Sequence, residues 1–184
     1  IRAGLRGFVN DTRKAPGRFN LIEHSGATVV VDYGHNADAL RALLEALPAL
    51  PHQRRRVVFC SAGDRRDCDI VGHAEILGEG FDEVILFEDE CIRGRAPGEV
   101  MGLMRRGLAT GRRVSHVLEV DGEIAAIEAA LARLQPGDLV VLLVDQVDAS
   151  LAFIQQTLAR LSPLPRQGTA HDPTPEGSPQ RRAS

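Results

Sequence analysis

The 184 residues hold a single lysine, Lys14. A P-loop of the Gly-Lys-Ser/Thr type therefore cannot form here, since no such tripeptide occurs, and the chain does not supply that phosphate cradle. The other basic side chains are arginines, which reads as a compositional bias rather than as chemistry. Cysteine is also scarce. Cys60, Cys68 and Cys91 are odd in number, irregularly spaced and without a C-x-x-C pair, which argues against a disulfide framework or a structural zinc site and reads as reduced thiols. No apolar run approaches the roughly 20 residues that span a bilayer, and the N-terminus lacks the apolar core of a signal peptide. A cytoplasmic protein without a membrane partner is the expectation. A basic excess is missing too: the formal net charge is -3, so nucleic acid is not expected as a partner. Ile1 in place of Met suggests a segment of a longer protein.

With 43% hydrophobic residues, the chain can bury one ordinary core. After Leu161 the sequence turns to "SPLPRQGTAHDPTPEGSPQRRAS", without apolar periodicity, and reads as a disordered tail over 162–184. Residues 1–17, with Pro16-Gly17, read as an interdomain linker, which leaves 18–161 as the folded unit. Within it "RFNLIEH" and "TVVVDYG" flank Ser25-Gly26 as a hairpin, and "RRVVFCS", "DEVILF" and "DLVVLLV" are short enough for buried strands, with "VSHVLEV" a weaker one. Helical patterns fall between them, from Ala37 to Leu47, Asp69 to Leu77, Pro97 to Leu108, Ile124 to Leu134 and Ala149 to Leu161. The alternation predicts an α/β fold: a doubly wound, mostly parallel sheet with an N-terminal antiparallel hairpin strand. Ligands of such sheets bind outside the carboxyl ends of the strands.

Ionisable residues crowd three loops at those ends. In "DYGHN", Asp32 is suited to ribose hydroxyls and His35 to a phosphate oxygen near a helix N-terminus; alternatively, Asn36 or Asp38 merely caps the helix while His35 packs beside Tyr33. In "SAGDRRD", a flexible Gly63 precedes Asp64, Arg65, Arg66 and Asp67, a set that either binds a zwitterion or pairs with itself in solvent. "EDECIRGR", with Asp89, Arg93 and Arg95, carries the same two readings. Convergence of three such loops on one sheet edge favours a ligand. Arg18 enters just before the first strand, as a nucleotide contact or an exposed linker arginine. His73 reads as a packing histidine, and no histidine spacing suits a metal.

"PGRFN", a short hairpin, and "DYGHN" opening a helix resemble the start of the C-terminal, Rossmann-like domain of the Mur ligases. Together with "GDRRDCDI" and "EDECIRGRAPGEV", in matching order and spacing, they resemble the cyanophycin synthetases most closely, from about Leu5 to Leu161. The resemblance implies an ATP-dependent amide ligase that joins aspartate and arginine through acyl phosphates. It assigns Arg18, Asp32, His35 and Asn36 to the nucleotide, and Asp64, Arg65, Arg66, Asp67, Asp89, Arg93 and Arg95 to the incoming amino acid, with no catalytic residue or metal ligand in this chain. ATP and Mg2+ would be bound mainly by domains outside it. The implied partners are arginine, aspartate, a cyanophycin primer and an upstream Mur-like central domain, and a homo-oligomer of the full-length protein is compatible with it. The chain alone would be inactive. Ala37 departs from the family's usual proline, a loss of preorganisation only. The alternatives are a Mur-type ligase for peptidoglycan precursors or folates, against whose peptidoglycan version "EDECIRGR" argues, and a non-catalytic binding or assembly module.

Overall fold

The computed structural model describes residues 15–89 and 92–161. The expected tail and most of the expected linker lie outside these residues. The strands are β1 (Asn20–His24), β2 (Ala27–Asp32), β3 (Arg54–Phe59), β4 (Glu83–Glu88), β5 (His116–Asp121) and β6 (Asp138–Leu143), and the helices are α1 (Ala37–Ala46), α2 (Asp67–Gly80), α3 (Glu99–Leu108), α4 (Glu123–Ala132) and α5 (Val147–Arg160). They form one sheet in the order β1-β2-β6-β3-β4-β5. Only β1 runs antiparallel, against β2, and every other pairing is parallel. The hairpin turns on Ser25 and Gly26, both at positive φ (48° and 85°), as a two-residue turn of primed type requires.

Side chains alternate across the sheet and build a core on each face. Val57, Phe59, Val84, Leu86, Val141 and Leu143 pack under α1, α2 and α3, while Val58, Ile85, Val140 and Leu142 pack under α4 and α5. Burial on both faces explains why these strands read as unbroken apolar runs. β5 read more weakly because it is the edge strand, with an alternating and largely exposed pattern. α2 starts at Asp67 rather than Asp69, because Arg66 is already extended and two first-turn carboxylates, Asp67 and Asp69, suit the positive end of the helix.

One expectation is corrected. Cys60 at the end of β3 is engaged in a disulfide, and among the described residues Cys68 is the free thiol. Sequence spacing gave no hint of this, and Cys91 lies outside the described residues. The loops that follow β3 and β4 are pressed together by the topology: a Cβ on Gly63 would lie 1.9 Å from the Ile92 carbonyl oxygen. Among the described residues no helix is long and apolar enough to cross a membrane.

Candidate functional site

The carboxyl ends of β2, β6 and β3 open onto a cleft of about 430 Å³ lined by Arg18, Asp32, Tyr33, Gly34, His35, Asn36, Ala39, Ala62, Arg65, Arg93 and Asp145. The "PGRFN" stretch is shaped to deliver Arg18 there. Gly17 sits at φ 66° with Val147 where a Cβ would be, 2.8 Å away. Asn20, fully buried, accepts the Gly17 N–H at 2.7 Å and donates to the Ala15 carbonyl at 2.9 Å. Phe19, also at positive φ, donates its N–H to Asp32 at 2.8 Å. Arg18 is left over the Tyr33 ring, 5.5 Å from its centre.

The first loop serves both readings. Asp32 receives the N–H of Phe19 on one carboxylate oxygen and that of Gly34, at 2.6 Å, on the other, so it fixes the turn as well as facing the cleft. Asn36 caps α1, its side-chain oxygen accepting the Ala39 N–H at 2.8 Å. His35 lies against Tyr33, with Nδ1 2.5 Å from the Tyr33 carbonyl oxygen and Nε2 4.0 Å from Asp145.

Of the charged residues of the other two loops, only Arg65 and Arg93 line the cleft. Arg93 pairs with Asp64 at 2.7 Å in solvent, and its guanidinium holds the Asp64 carboxyl below the usual carboxylate range. Water screens that pair, so an incoming anion competes with Asp64 for Arg93. Arg66 instead grips Asp69 at 2.9 Å beside the first turn of α2. Asp67 and Asp89 do not line the cleft either. Arg95 is a clasp rather than a ligand contact: it donates to the carbonyls of Gly63 (2.6 Å) and Arg65 (2.7 Å) and pairs with Asp67 (2.9 Å) and Glu99 (2.6 Å). Its donors are consumed in tying the β3–α2 loop to the β4–α3 loop, which sets where Arg65 and Arg93 stand.

Sequence reasoning missed Asp145. It follows β6, which enters the sheet between β2 and β3 although it comes last in the chain. A signal was present: "VVVD" and "VLLVD" both end an apolar strand in aspartate.

Three guanidiniums, an imidazole and two carboxylates thus share one cleft. The Nε of Arg65 is buried without a hydrogen-bond partner, a donor that a bound anion would satisfy. The set fits the phosphates of a nucleotide, or the carboxylate of an amino acid. Among the described residues no group of three or more His, Cys, Asp or Glu is placed to hold a metal ion.

His73 lies beneath the cleft, buried, edge-on to Phe59 and 3.2 Å from the Ser61 hydroxyl. Burial pushes its imidazole below the usual histidine range, the charge of Arg65 adds to this, and Asp69 opposes it. Near pH 6.5, roughly the unfolded value, the folded state therefore binds fewer protons than the unfolded one. Stability present above that pH is lost as pH falls toward the folded pKa. Melting temperatures from pH 8 down to pH 5 should show this decline, and His73→Gln should flatten it; an unchanged slope would assign the dependence to other groups.

Residues 17–143 match the family model described as Mur ligase, glutamate ligase domain. A cyanophycin synthetase of Crocosphaera subtropica is 34% identical over 147 residues, which is 80% of this chain and 17% of that protein. Among solved structures, a UDP-N-acetylmuramoyl-L-alanyl-D-glutamate-2,6-diaminopimelate ligase superposes with a TM-score of 0.67 at 24% identity, over 79% of this chain and 32% of that one. FolC of E. coli, solved in complex with ADP, superposes with a TM-score of 0.55 at 26% identity, over 70% of this chain and 28% of that one. The chain spans about a sixth of the length of the cyanophycin synthetases it matches.

Proposed function

This chain belongs to the Mur ligase family, as its glutamate ligase domain, and we propose that it is the closing domain of an ATP-dependent amide ligase of the cyanophycin synthetase kind. The observation that carries the reading is the shared cleft: Arg18, His35, Arg65 and Arg93 converge with Asp32 and Asp145 from five separate segments of the chain. Arg18, Asp32, His35 and Asn36 would meet the nucleotide. Arg65 and Arg93 would take the α-carboxylate of the incoming amino acid, and Asp145 its cationic group. When bound, ATP with Mg2+ supplies activation of a carboxylate for attack by an amine, which asks mainly for positioning and charge neutralisation from the protein. The residues of this chain contribute by binding and orienting the amine substrate and by excluding water as the domain closes on its upstream neighbour. Residues 18–161 would be the unit that does so, and alone they would not turn over, since this chain holds no P-loop motif.

The test is ATP- and primer-dependent incorporation of labelled arginine and aspartate by the full-length ligase that carries this chain. Joint incorporation is expected, and Arg65→Ala should lower kcat/KM for arginine at least about tenfold, or 1.4 kcal/mol. A folded parent that incorporates neither amino acid would overturn the reading, and an Arg65→Ala enzyme with unaltered kinetics would remove this loop from the site.

A further inference from the structure

Behind the cleft sits a buried carboxylate that the proposed function does not use. Glu123 is the first residue of α4 and only 3% exposed. One of its oxygens accepts the main-chain N–H of Asp145 at 3.0 Å and that of Gln146 at 3.3 Å. The other accepts the hydroxyl of Ser150, itself fully buried, in a short hydrogen bond. α5 begins at Val147, and its N-cap residue Gln146 makes no side-chain cap; a carboxylate from 22 residues upstream instead takes the N–H groups that lead into the helix, where its positive end favours a negative charge.

A serine or aspartate at the local cap position would satisfy α5 without burying a charge brought from another helix, which carries a desolvation cost. The long-range arrangement adds a fixed turn between β6 and α5. On one side the Val144 N–H is held by the Asp32 carbonyl at 2.9 Å, and on the other Asp145 and Gln146 are held by Glu123. These anchors fix the backbone on either side of Asp145, whose carboxylate lies 4.0 Å from His35 Nε2 across the cleft.

We propose that Glu123 is a positioning residue that holds the Asp145 carboxylate at the amino-acid subsite; the proposal rests on the reading of the cleft given above. The experiment compares Glu123→Gln, Asp145→Ala, their double variant and Ser150→Ala in the full-length ligase. Three quantities are read: KM and kcat for arginine, equilibrium binding of labelled arginine, and melting temperature. Glu123→Gln removes the charge and leaves one neutral carbonyl oxygen to accept the two N–H donors, so it should weaken arginine binding and raise its KM about tenfold with kcat within twofold. Asp145→Ala should do the same, and the double variant no more than Asp145→Ala alone. Ser150→Ala removes one bond to the other carboxylate oxygen, so it should lower the melting temperature while leaving KM within twofold. Should Glu123→Gln fail to fold, Glu123→Asp keeps the charge, withdraws it by one methylene, and should raise KM about threefold. A folded Glu123 variant that melts lower yet binds arginine normally, while Asp145→Ala binds it poorly, overturns the proposal and leaves Glu123 a helix cap. Normal binding by Asp145→Ala overturns the amino-acid subsite itself, and the positioning role with it.

Discussion

Gly63→Ala is expected to lower the melting temperature by roughly 6–12 °C, the equivalent of about 3 kcal/mol in a domain of this size. The cause is crowding. A Cβ at this position would lie 1.9 Å from the Ile92 carbonyl oxygen and 2.5 Å from its carbon, both backbone atoms that cannot rotate aside. Gly63 itself is anchored, its own carbonyl accepting from Arg95 at 2.6 Å, so relief requires the β4–α3 loop to move as a body. Because Arg93 is the next residue after Ile92, the shift should also raise KM for the ligand of the cleft. Gly72→Ala is the comparator. No atom lies within 4 Å of its Cβ position, in the interior of α2, so the same chemical change should stabilise by about 0.5–1 kcal/mol. A Gly63→Ala protein that melts like the parent would mean that these two loops do not touch.

Arg56→Ala should be the other severe change, costing about 3–5 kcal/mol. Arg56 is 1% exposed and donates to Glu83 at 2.8 Å and to the Ala130 carbonyl at 3.0 Å, with Asp138 at 3.7 Å. Glu83 and Asp138 are each 4% exposed, and each keeps one outer arginine, Arg133 at 2.6 Å and Arg54 at 2.9 Å. Removing the central guanidinium leaves two buried carboxylates with half their compensation and an orphaned carbonyl. The network lies near the amino end of β3, about 13 Å along the strand from the cleft, so ligand affinity of the folded fraction should be unaltered. Thermal melts together with KM decide it: a larger change in KM than in stability would show that the network serves the cleft.

Much of the architecture was legible because burial leaves a local mark. Strands covered on both faces read as apolar runs, and helices covered on one face read as periodic, so the α/β class, the hairpin and the helices followed from neighbours in sequence. The site was half legible for the same reason. "PGRFN" and "DYGHN" lie in consecutive segments and do meet in the cleft. Commitments made across the sheet leave no such mark. Arg95 looked like a ligand contact and is instead consumed by carbonyls some thirty residues upstream, Arg66 is spent on Asp69, and Gly63 is required for a close approach rather than for flexibility. That Asp145 reaches this cleft, with support from Glu123, became visible only once the last strand was placed in the middle of the sheet.

That placement bears on how the chain acquires its shape. Without β6, the β1–β2 hairpin and the β3–β4–β5 ribbon share no strand pairing, and any such pieces formed early would leave the facing edges of β2 and β3 with bare N–H and C=O groups. During synthesis from the N-terminus, both edges stay open until residue 143 has left the ribosome. Closing such distant pairings is entropically slow. The nascent chain is therefore most exposed to wrong strand partners in the interval just before the insertion that also creates its ligand cleft.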